Sequence, residues 1–89
     1  MRNSELIKSF IDGADSGKAS NLVIKDNKLY NYATCIAFRL GNEIYLNADK
    51  YSATTSRNQN TIRRFSDNIK EMSEQELKDF VYDTYGATL

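Results

Sequence analysis

Apolar residues recur at a helical spacing near the start of the chain. One side of the predicted helix carries Leu6, Ile7, Phe10 and Ile11. Asn3 or Ser4 is placed to cap its first turn, and Gly13 is placed to end it. The stretch that follows, 14–21, is mostly polar. The pattern therefore predicts a short amphipathic helix and then a loop.

Short apolar runs separated by tight turns occupy the middle of the chain. The run 22–25 is followed by a two-residue turn at 26–27. A long run, 28–40, comes next, and a Gly-Asn turn leads into a last run at 43–47. Turns of this kind join antiparallel neighbours. We therefore expect a three-stranded antiparallel meander.

The two turns set the register of the predicted meander, and the register assigns each side chain to a face. If Lys25 pairs with Lys28 and Leu40 with Glu43, one face is aliphatic. That face carries Leu22, Ile24, Leu29, Cys35, Ala37, Ile44 and Leu46. The opposite face is aromatic, with two lysines at one end, and carries Val23, Tyr30, Tyr32, Thr34, Ile36, Phe38, Tyr45, Lys25 and Lys28. A bulge at 33–34 would shift half of this assignment.

Two helices are predicted after the sheet. Ser56 with Gln59 makes a Ser-x-x-Gln capping box, and the apolar stripe that follows is Ile62, Phe65, Ile69 and Met72. A second box, Ser73 with Glu76, starts a helix that Gly86 ends, with the stripe Leu77, Phe80, Val81 and Tyr85. The fold class is therefore α+β, a single domain over 1–89 with the order αβββαα.

Composition and charge narrow the function classes. Twelve basic and twelve acidic residues cancel, so no global field draws the protein to nucleic acid or to an anionic membrane. No apolar run is long enough for a membrane span or a signal-peptide core, which favours the cytoplasm of a bacterial host cell. Without histidine and with one cysteine, the chain has no Cys/His zinc site and no internal disulfide. We expect Cys35 to be a buried, inert thiol.

Enzymatic chemistry has little support in the sequence. There is no histidine base, no glycine-rich phosphate loop and no dinucleotide fingerprint. Carboxylate pairs such as Glu74 with Glu76 and Asp79 with Asp83 lie in a solvent-facing helical pattern. We therefore expect no catalytic residue, no metal site and no cofactor.

The stretch 50–64, KYSATTSRNQNTIRR, is dense in hydroxyl, amide and guanidinium groups. Capping of the helix that starts there explains Ser56 and Gln59. The alternative is a small anion site at the helix N-terminus, made by Thr54, Thr55, Ser56 and Arg57. On the helical wheel Asn58 and Thr61 point to the same side as the apolar stripe, so we expect them to meet the sheet and to tie down the preceding loop.

Charges are distributed unevenly along the second half of the chain. Residues 51–70 carry four basic and one acidic residue, whereas residues 71–89 carry one basic and five acidic residues. Arg63 and Arg64 both stand within ion-pair reach of Asp67 on the predicted helix. A solvated charged surface and a binding patch are both compatible with this pattern.

Two sets of aromatic residues are candidates for a partner surface. Tyr82 is turned away from the apolar stripe of its helix, so it should be exposed. The aromatic sheet face, Tyr30, Tyr32, Phe38 and Tyr45, is either an open platform for a partner or is buried by the first helix. We expect at least two of these four rings to be accessible.

The block 29–64 resembles short proteins of bacteriophages and mobile elements that form a family of unknown function. Its distinctive parts are Tyr51-Ser52, Thr54-Thr55-Ser56 and Gln59-Asn60. The resemblance implies a setting in which small, neutral, non-catalytic proteins bind and block a host machine, as anti-CRISPR and other anti-defence proteins do. It implies no particular target and no site residues.

Together these features predict a small binding protein, monomeric or homodimeric, that inhibits or modulates a host protein such as a defence complex by protein contact. One alternative is a nucleic-acid-binding protein that uses the sheet aromatics with Lys25 and Lys28. In another version of this alternative, nucleic acid binds at the predicted helix entrance, Thr55, Ser56 and Arg57, together with Arg63 and Arg64. A further alternative is a homodimeric structural domain that hides its aromatic face.

Overall fold

The computed structural model describes residues 2–86 as one six-stranded sheet with three helices. The helices are α1 (Asn3–Ile11), α2 (Ala53–Phe65) and α3 (Glu74–Tyr85). The strands are β1 (Ser16–Ala19), β2 (Leu22–Lys25), β3 (Lys28–Asn31), β4 (Thr34–Leu40), β5 (Glu43–Asn47) and β6 (Ile69–Met72). The fold is α+β, as predicted, but its order is αβββββαβα instead of αβββαα.

The strands lie in the sheet in the order in which they occur in the chain. The first five form an antiparallel meander, and the predicted pairs Lys25 with Lys28 and Leu40 with Glu43 are both confirmed. β6 pairs with β5 in parallel, and α2 makes the crossover between them. The sheet is therefore mixed, and α2 supplies the long connection that a parallel neighbour needs.

The prediction of one long strand over 28–40 is wrong, because the chain reverses at Tyr32. That residue has a left-handed φ of 55°, and its neighbours Asn31 and Thr34 pair across the turn. A register shift lies between Leu29 and Tyr30 and not at 33–34. The shift moves Cys35 to the aromatic face and Ile36 to the aliphatic face, the reverse of the predicted assignment.

The predicted loop at 14–21 contains β1, which forms one edge of the sheet. Its sequence, SGKA, has few apolar residues because an edge strand buries little of its surface. Gly17 faces α1, where a Cβ would lie only 2.8 Å from Leu6 Cδ1. A glycine at this position therefore allows the helix to pack closely on the strand.

The helix predicted to run to Met72 ends at Phe65. Ser66 has extended backbone angles, and the residues from Ile69 onward form β6. Ile69 still packs against the aliphatic core, but from a strand. Phe65, predicted to be core, is the last residue of α2 and is 40% exposed.

Two hydrophobic cores lie on opposite faces of the sheet. Under α1 and α2 the core consists of Leu6, Ile7, Phe10, Ala19, Leu22, Ile24, Leu29, Ile36, Ala37, Ile44, Leu46 and Ile62. Under α3 it consists of Cys35, Phe38, Tyr45, Leu77 and Val81. The helices therefore cover both faces, and α3 packs on the aromatic one.

Capping interactions set the ends of α1 and α3. Ser73 and Glu76 form the predicted capping box, and Gly86 ends α3 in a left-handed conformation. α1 begins one residue earlier than predicted, with Arg2 as its N-cap and the Glu5 carboxylate accepting a hydrogen bond from the Arg2 N–H.

None of the helices within 2–86 has the length and apolar character that crossing a membrane requires.

Candidate binding surface

The entrance of α2 is capped by Ser52 and not by Ser56. The Ser52 hydroxyl accepts a hydrogen bond from the Thr55 N–H at 3.3 Å, and the helix begins at Ala53. The predicted box of Ser56 with Gln59 is therefore wrong, because Ser56 is the fourth residue of α2 and its N–H already donates to the Ser52 carbonyl. Gln59 instead reaches back to the loop and donates to the Asn47 and Asp49 carbonyls at 2.6 and 2.9 Å.

The four residues of the predicted anion site do not converge. Successive residues of a helix point about 100° apart, so 54–57 spread around the whole helix. The Thr55 hydroxyl is buried and accepts a 2.8 Å hydrogen bond from the Asn31 amide. Ser56 is half-buried, whereas Thr54 and Arg57 are exposed. Only Thr54 and Arg57 remain available to a ligand.

A chain of four amides, two buried and two half-buried, connects α2 to β3 and α1. Asn31 Oδ1 accepts from Asn58 Nδ2 at 2.6 Å and from Asn21 Nδ2 at 3.2 Å. Asn21 Oδ1 in turn accepts from Asn3 Nδ2 at 3.1 Å. The prediction that Asn58 meets the sheet is confirmed, although Asn58 holds β3 and Gln59 holds the preceding loop. Thr61 is buried too, but its hydroxyl donates to the Arg57 carbonyl.

Residues between 47 and 59 connect β5 with α2 and α3. Tyr51 accepts a hydrogen bond from the buried Asn47 amide at 2.9 Å and donates to Glu74 at 2.9 Å. Ser52 caps α2, and Gln59 holds the loop. Much of the block 50–64 therefore stabilises the fold.

No family model, curated protein or solved structure matches the chain.

The two adjacent arginines have different roles. Arg63 donates to Glu71 at 2.8 Å and to Asn60 at 2.7 Å, and its hydrogen bond holds the pKa of Glu71 below the usual range. The predicted pairing of Arg63 with Asp67 is not formed, because α2 ends at Phe65 and Asp67 is not on the helix. Arg64 is exposed, on the same outward side of α2 as Arg57, seven residues earlier.

The aromatic sheet face is not an open platform. Phe38 and Tyr45 are buried beneath α3, where Phe80 stacks on Tyr45 at 4.3 Å and meets Phe38 edge-on at 6.1 Å. Tyr30 is half-buried, and only Tyr32, on the β3–β4 turn, is largely exposed at 71%. The covering helix is α3 and not the first helix, since α1 packs on the opposite face. The part of this face under α3 is therefore closed to a partner, including a second copy of the chain.

α3 covers only half of the aromatic face. It lies across β4 and β5, so the same face of β1 to β3 extends beyond it. Cross-strand pairing brings five side chains together there, which we call the open half-sheet: Lys18, Val23, Lys25, Lys28 and Tyr30. Lys18 and Lys25 are exposed, and Val23 and Tyr30 are half-buried. The sequence pattern placed Val23, Tyr30, Lys25 and Lys28 on this face, but it missed Lys18, because β1 was predicted as a loop.

A groove of about 350 Å³ separates the end of α3 from the β2–β3 turn. It is lined by Asp15, Asp26, Asn27, Lys28, Phe38, Val81 and Tyr85. Phe38 and Val81 are buried at its base, and Tyr85 meets Phe38 edge-on at 5.5 Å while remaining 53% exposed. The groove thus combines one cation and two carboxylates with an exposed aromatic ring.

The outer side of α3 is acidic and carries an exposed tyrosine. Tyr82 is 61% exposed, as predicted. Lys78, the only cation of α3, pairs with Glu74 at 3.6 Å. Asp79 and Asp83 are exposed and make no ion pair with any described residue. The negative charge of this side is therefore only partly neutralised within residues 2–86.

The described residues offer little for metal or thiol chemistry. Residues 2–86 contain no group of three or more Cys, Asp or Glu side chains arranged to hold a metal ion. Cys35 is buried, as predicted, and burial raises the pKa of its thiol to about 12. At neutral pH the thiol is therefore protonated and a weak nucleophile.

Proposed function

We propose that the protein is a small non-catalytic binding protein that acts by contact with another protein. The observation that carries this proposal is the pair Tyr82 and Tyr85, which are 61% and 53% exposed on one helix. They lie three residues apart and hence on neighbouring sides of α3. Tyrosine is enriched among the residues that dominate protein interfaces, because its large ring is buried at a small entropic cost.

The charges around these tyrosines favour a partner with a basic surface. Asp79 and Asp83 flank Tyr82 without an internal cation, whereas Arg57 and Arg64 lie on α2, across the sheet. A net charge of zero therefore conceals an acidic outer side of α3 and two exposed arginines on α2. Complementary charge raises association rates and excludes wrong partners.

The resemblance of 29–64 to phage and mobile-element proteins supports a bacterial host as the setting of the proposed partner. In that setting the protein inhibits or modulates a host protein, such as a component of a defence complex, inside the cell. No step of this proposal needs a catalytic group or a cofactor.

Binding to nucleic acid is a second candidate, because Lys18, Lys25 and Lys28 share the open half-sheet with Tyr30. Exposed sheets with basic and aromatic residues bind single strands. However, Asp15 and Asp26 border the same surface, and Arg63 is paired with Glu71. These carboxylates make protein the favoured partner.

Affinity purification from nuclease-treated bacterial lysate tests the proposal. Wild-type protein is compared with Tyr82→Ser and with Tyr32→Ser, a control that removes another exposed tyrosine from a different surface. We expect a defined set of proteins that wild type and the control retain and that Tyr82→Ser loses. Retention of the same proteins by all three contradicts the proposal. Capture of proteins only from lysate without nuclease treatment contradicts it too.

A further inference from the structure

The groove beside α3 contains a lysine whose charge has no ion-pair partner among residues 2–86. Lys28 is only 8% exposed. Three ion pairs are formed within residues 2–86, and Lys28 takes part in none of them. Lys28 Nζ is not among the fully buried polar atoms of residues 2–86 that lack a hydrogen-bond partner, so the aliphatic stem is buried while the ammonium reaches the groove. The position of Lys28 therefore lets its charge meet an anion that residues 2–86 do not supply.

The neighbours of Lys28 strengthen this expectation. Lys25 stands directly opposite it on β2, and two like charges at such a pair destabilise a sheet. On its other side Lys28 faces Phe38, which supplies no counter-charge. An anion bound in the groove would offset the repulsion between the two lysines.

The rest of the groove selects the kind of anion. Asp15 and Asp26 at its border repel a doubly charged group more strongly than a singly charged one, which disfavours a phosphate dianion relative to a carboxylate. Tyr85 is the exposed aromatic residue of the groove, and the volume of about 350 Å³ suits one or two side chains. The chemistry thus fits one carboxylate next to an apolar group.

We propose that this groove binds a carboxylate carried next to an aromatic or aliphatic group, as a protein partner presents where an acidic residue adjoins an apolar one. The Lys28 ammonium pairs with the carboxylate, and the apolar group packs against the exposed ring of Tyr85. This inference rests on the proposed function, because it names what the partner places beside the tyrosines of α3.

Small probes test the groove without knowledge of the partner. The isotope-labelled protein is titrated with phenylacetate, with the neutral isostere phenylacetamide, with the cation phenethylamine and with inorganic phosphate, and amide chemical shifts are followed by NMR. We expect saturable shifts around the groove with phenylacetate. Binding of phenylacetamide should be about tenfold weaker, because it lacks the charge-assisted hydrogen bond.

Two matched variants locate the charge that is responsible. Lys28→Met keeps the length of the side chain and should abolish the preference for phenylacetate over phenylacetamide. Lys25→Met, the exposed neighbour, should retain most of that preference. Amide spectra of both variants show whether each is folded, and the comparison of probes on wild-type protein needs no variant at all.

The opposite results overturn the inference. Tighter binding of phenethylamine would mean that Asp15 and Asp26 dominate the groove, and tighter binding of phosphate would favour nucleic acid. No saturable shift at the groove would mean that it holds no carboxylate. If phenylacetate fails while Tyr82-dependent capture of a protein succeeds, only the chemistry of the groove is wrong, and the proposed function stands.

Discussion

Asn58 on α2 donates a 2.6 Å hydrogen bond to Asn31 at the end of β3, and both side chains are at least 97% buried. Most amphipathic helices pack on a sheet through aliphatic residues. The inward side of α2 instead consists of Thr55, Asn58, Gln59 and Ile62. Hydrogen bonds between buried groups need defined geometry, so these amides fix the position of the helix as well as stabilise it.

Asn58→Ala should lower the free energy of unfolding by about 1–3 kcal/mol, because a buried polar group that loses its partner keeps its desolvation cost. Asn60→Ala is the control, since Asn60 is exposed and bonds only Arg63 at the surface. Its effect should stay within about 0.5 kcal/mol. Urea unfolding measures both. Equal effects of the two variants would mean that the amide chain contributes nothing specific.

Ser52→Ala should cost about 1 kcal/mol of stability, because it removes the N-cap of α2. Ser56→Ala should have little effect, since its hydroxyl caps no N–H of the first turn. The midpoints of urea unfolding distinguish the two positions. A large loss at Ser56 with none at Ser52 would show that the helix begins one turn later.

Tyr45→Ser should destabilise the fold by about 3 kcal/mol or more, because the ring is buried against Phe80 and Phe38. Tyr82→Ser on the outer side of α3 should cost well under about 1 kcal/mol. Thermal unfolding of the two variants makes the comparison. Similar losses would indicate that α3 does not cover the aromatic face in solution.

Stability should fall as the pH rises above about 9, in part because of Cys35. Its pKa is raised from 9.0 to about 12 in the folded protein, chiefly by burial. The unfolded chain therefore loses the thiol proton first, and the stabilisation present below pH 9 is lost between pH 9 and 12. Cys35→Ala should reduce this slope in urea unfolding measured across that range. An unchanged slope would assign the alkaline loss to other groups.

Single-stranded DNA and RNA should show no appreciable binding at physiological salt. A local basic patch that did bind would lose affinity steeply with salt, with a log-log slope of about −0.7 for each phosphate contact. Fluorescence anisotropy with a labelled oligonucleotide measures this. Micromolar binding that disappears in Arg63→Glu, Arg64→Glu or in Lys25→Glu, Lys28→Glu would replace protein by nucleic acid as the favoured partner.

Local signals in the sequence identified the parts of the fold that depend on near neighbours. The turns at 26–27 and 41–42 gave the correct registers, and Ser73, Glu76 and Gly86 marked the ends of α3. Exposure of Tyr82 and burial of Cys35 followed from the same periodicities. Each of these features is decided by residues a few positions apart.

The remaining elements depend on partners that are distant in sequence. Ile69 continues the helical spacing of Ile62, so only its pairing with β5 makes it part of a strand. Tyr32 is an unusual residue for a left-handed turn, and β1 is too polar to read as a strand. The groove could not be predicted for the same reason, because Lys28 and Tyr85 line it together only once α3 has packed.

The parallel pairing of β6 with β5 has a consequence for how the chain folds. Lys25 and Lys28 pair across three positions of sequence, whereas Ile44 and Ile69 pair across twenty-five. Closing the longer loop costs more chain entropy, so the meander should form first and β6 should join it later. Because α3 follows directly on β6, the helix that completes the groove belongs to the last part of the chain to become ordered.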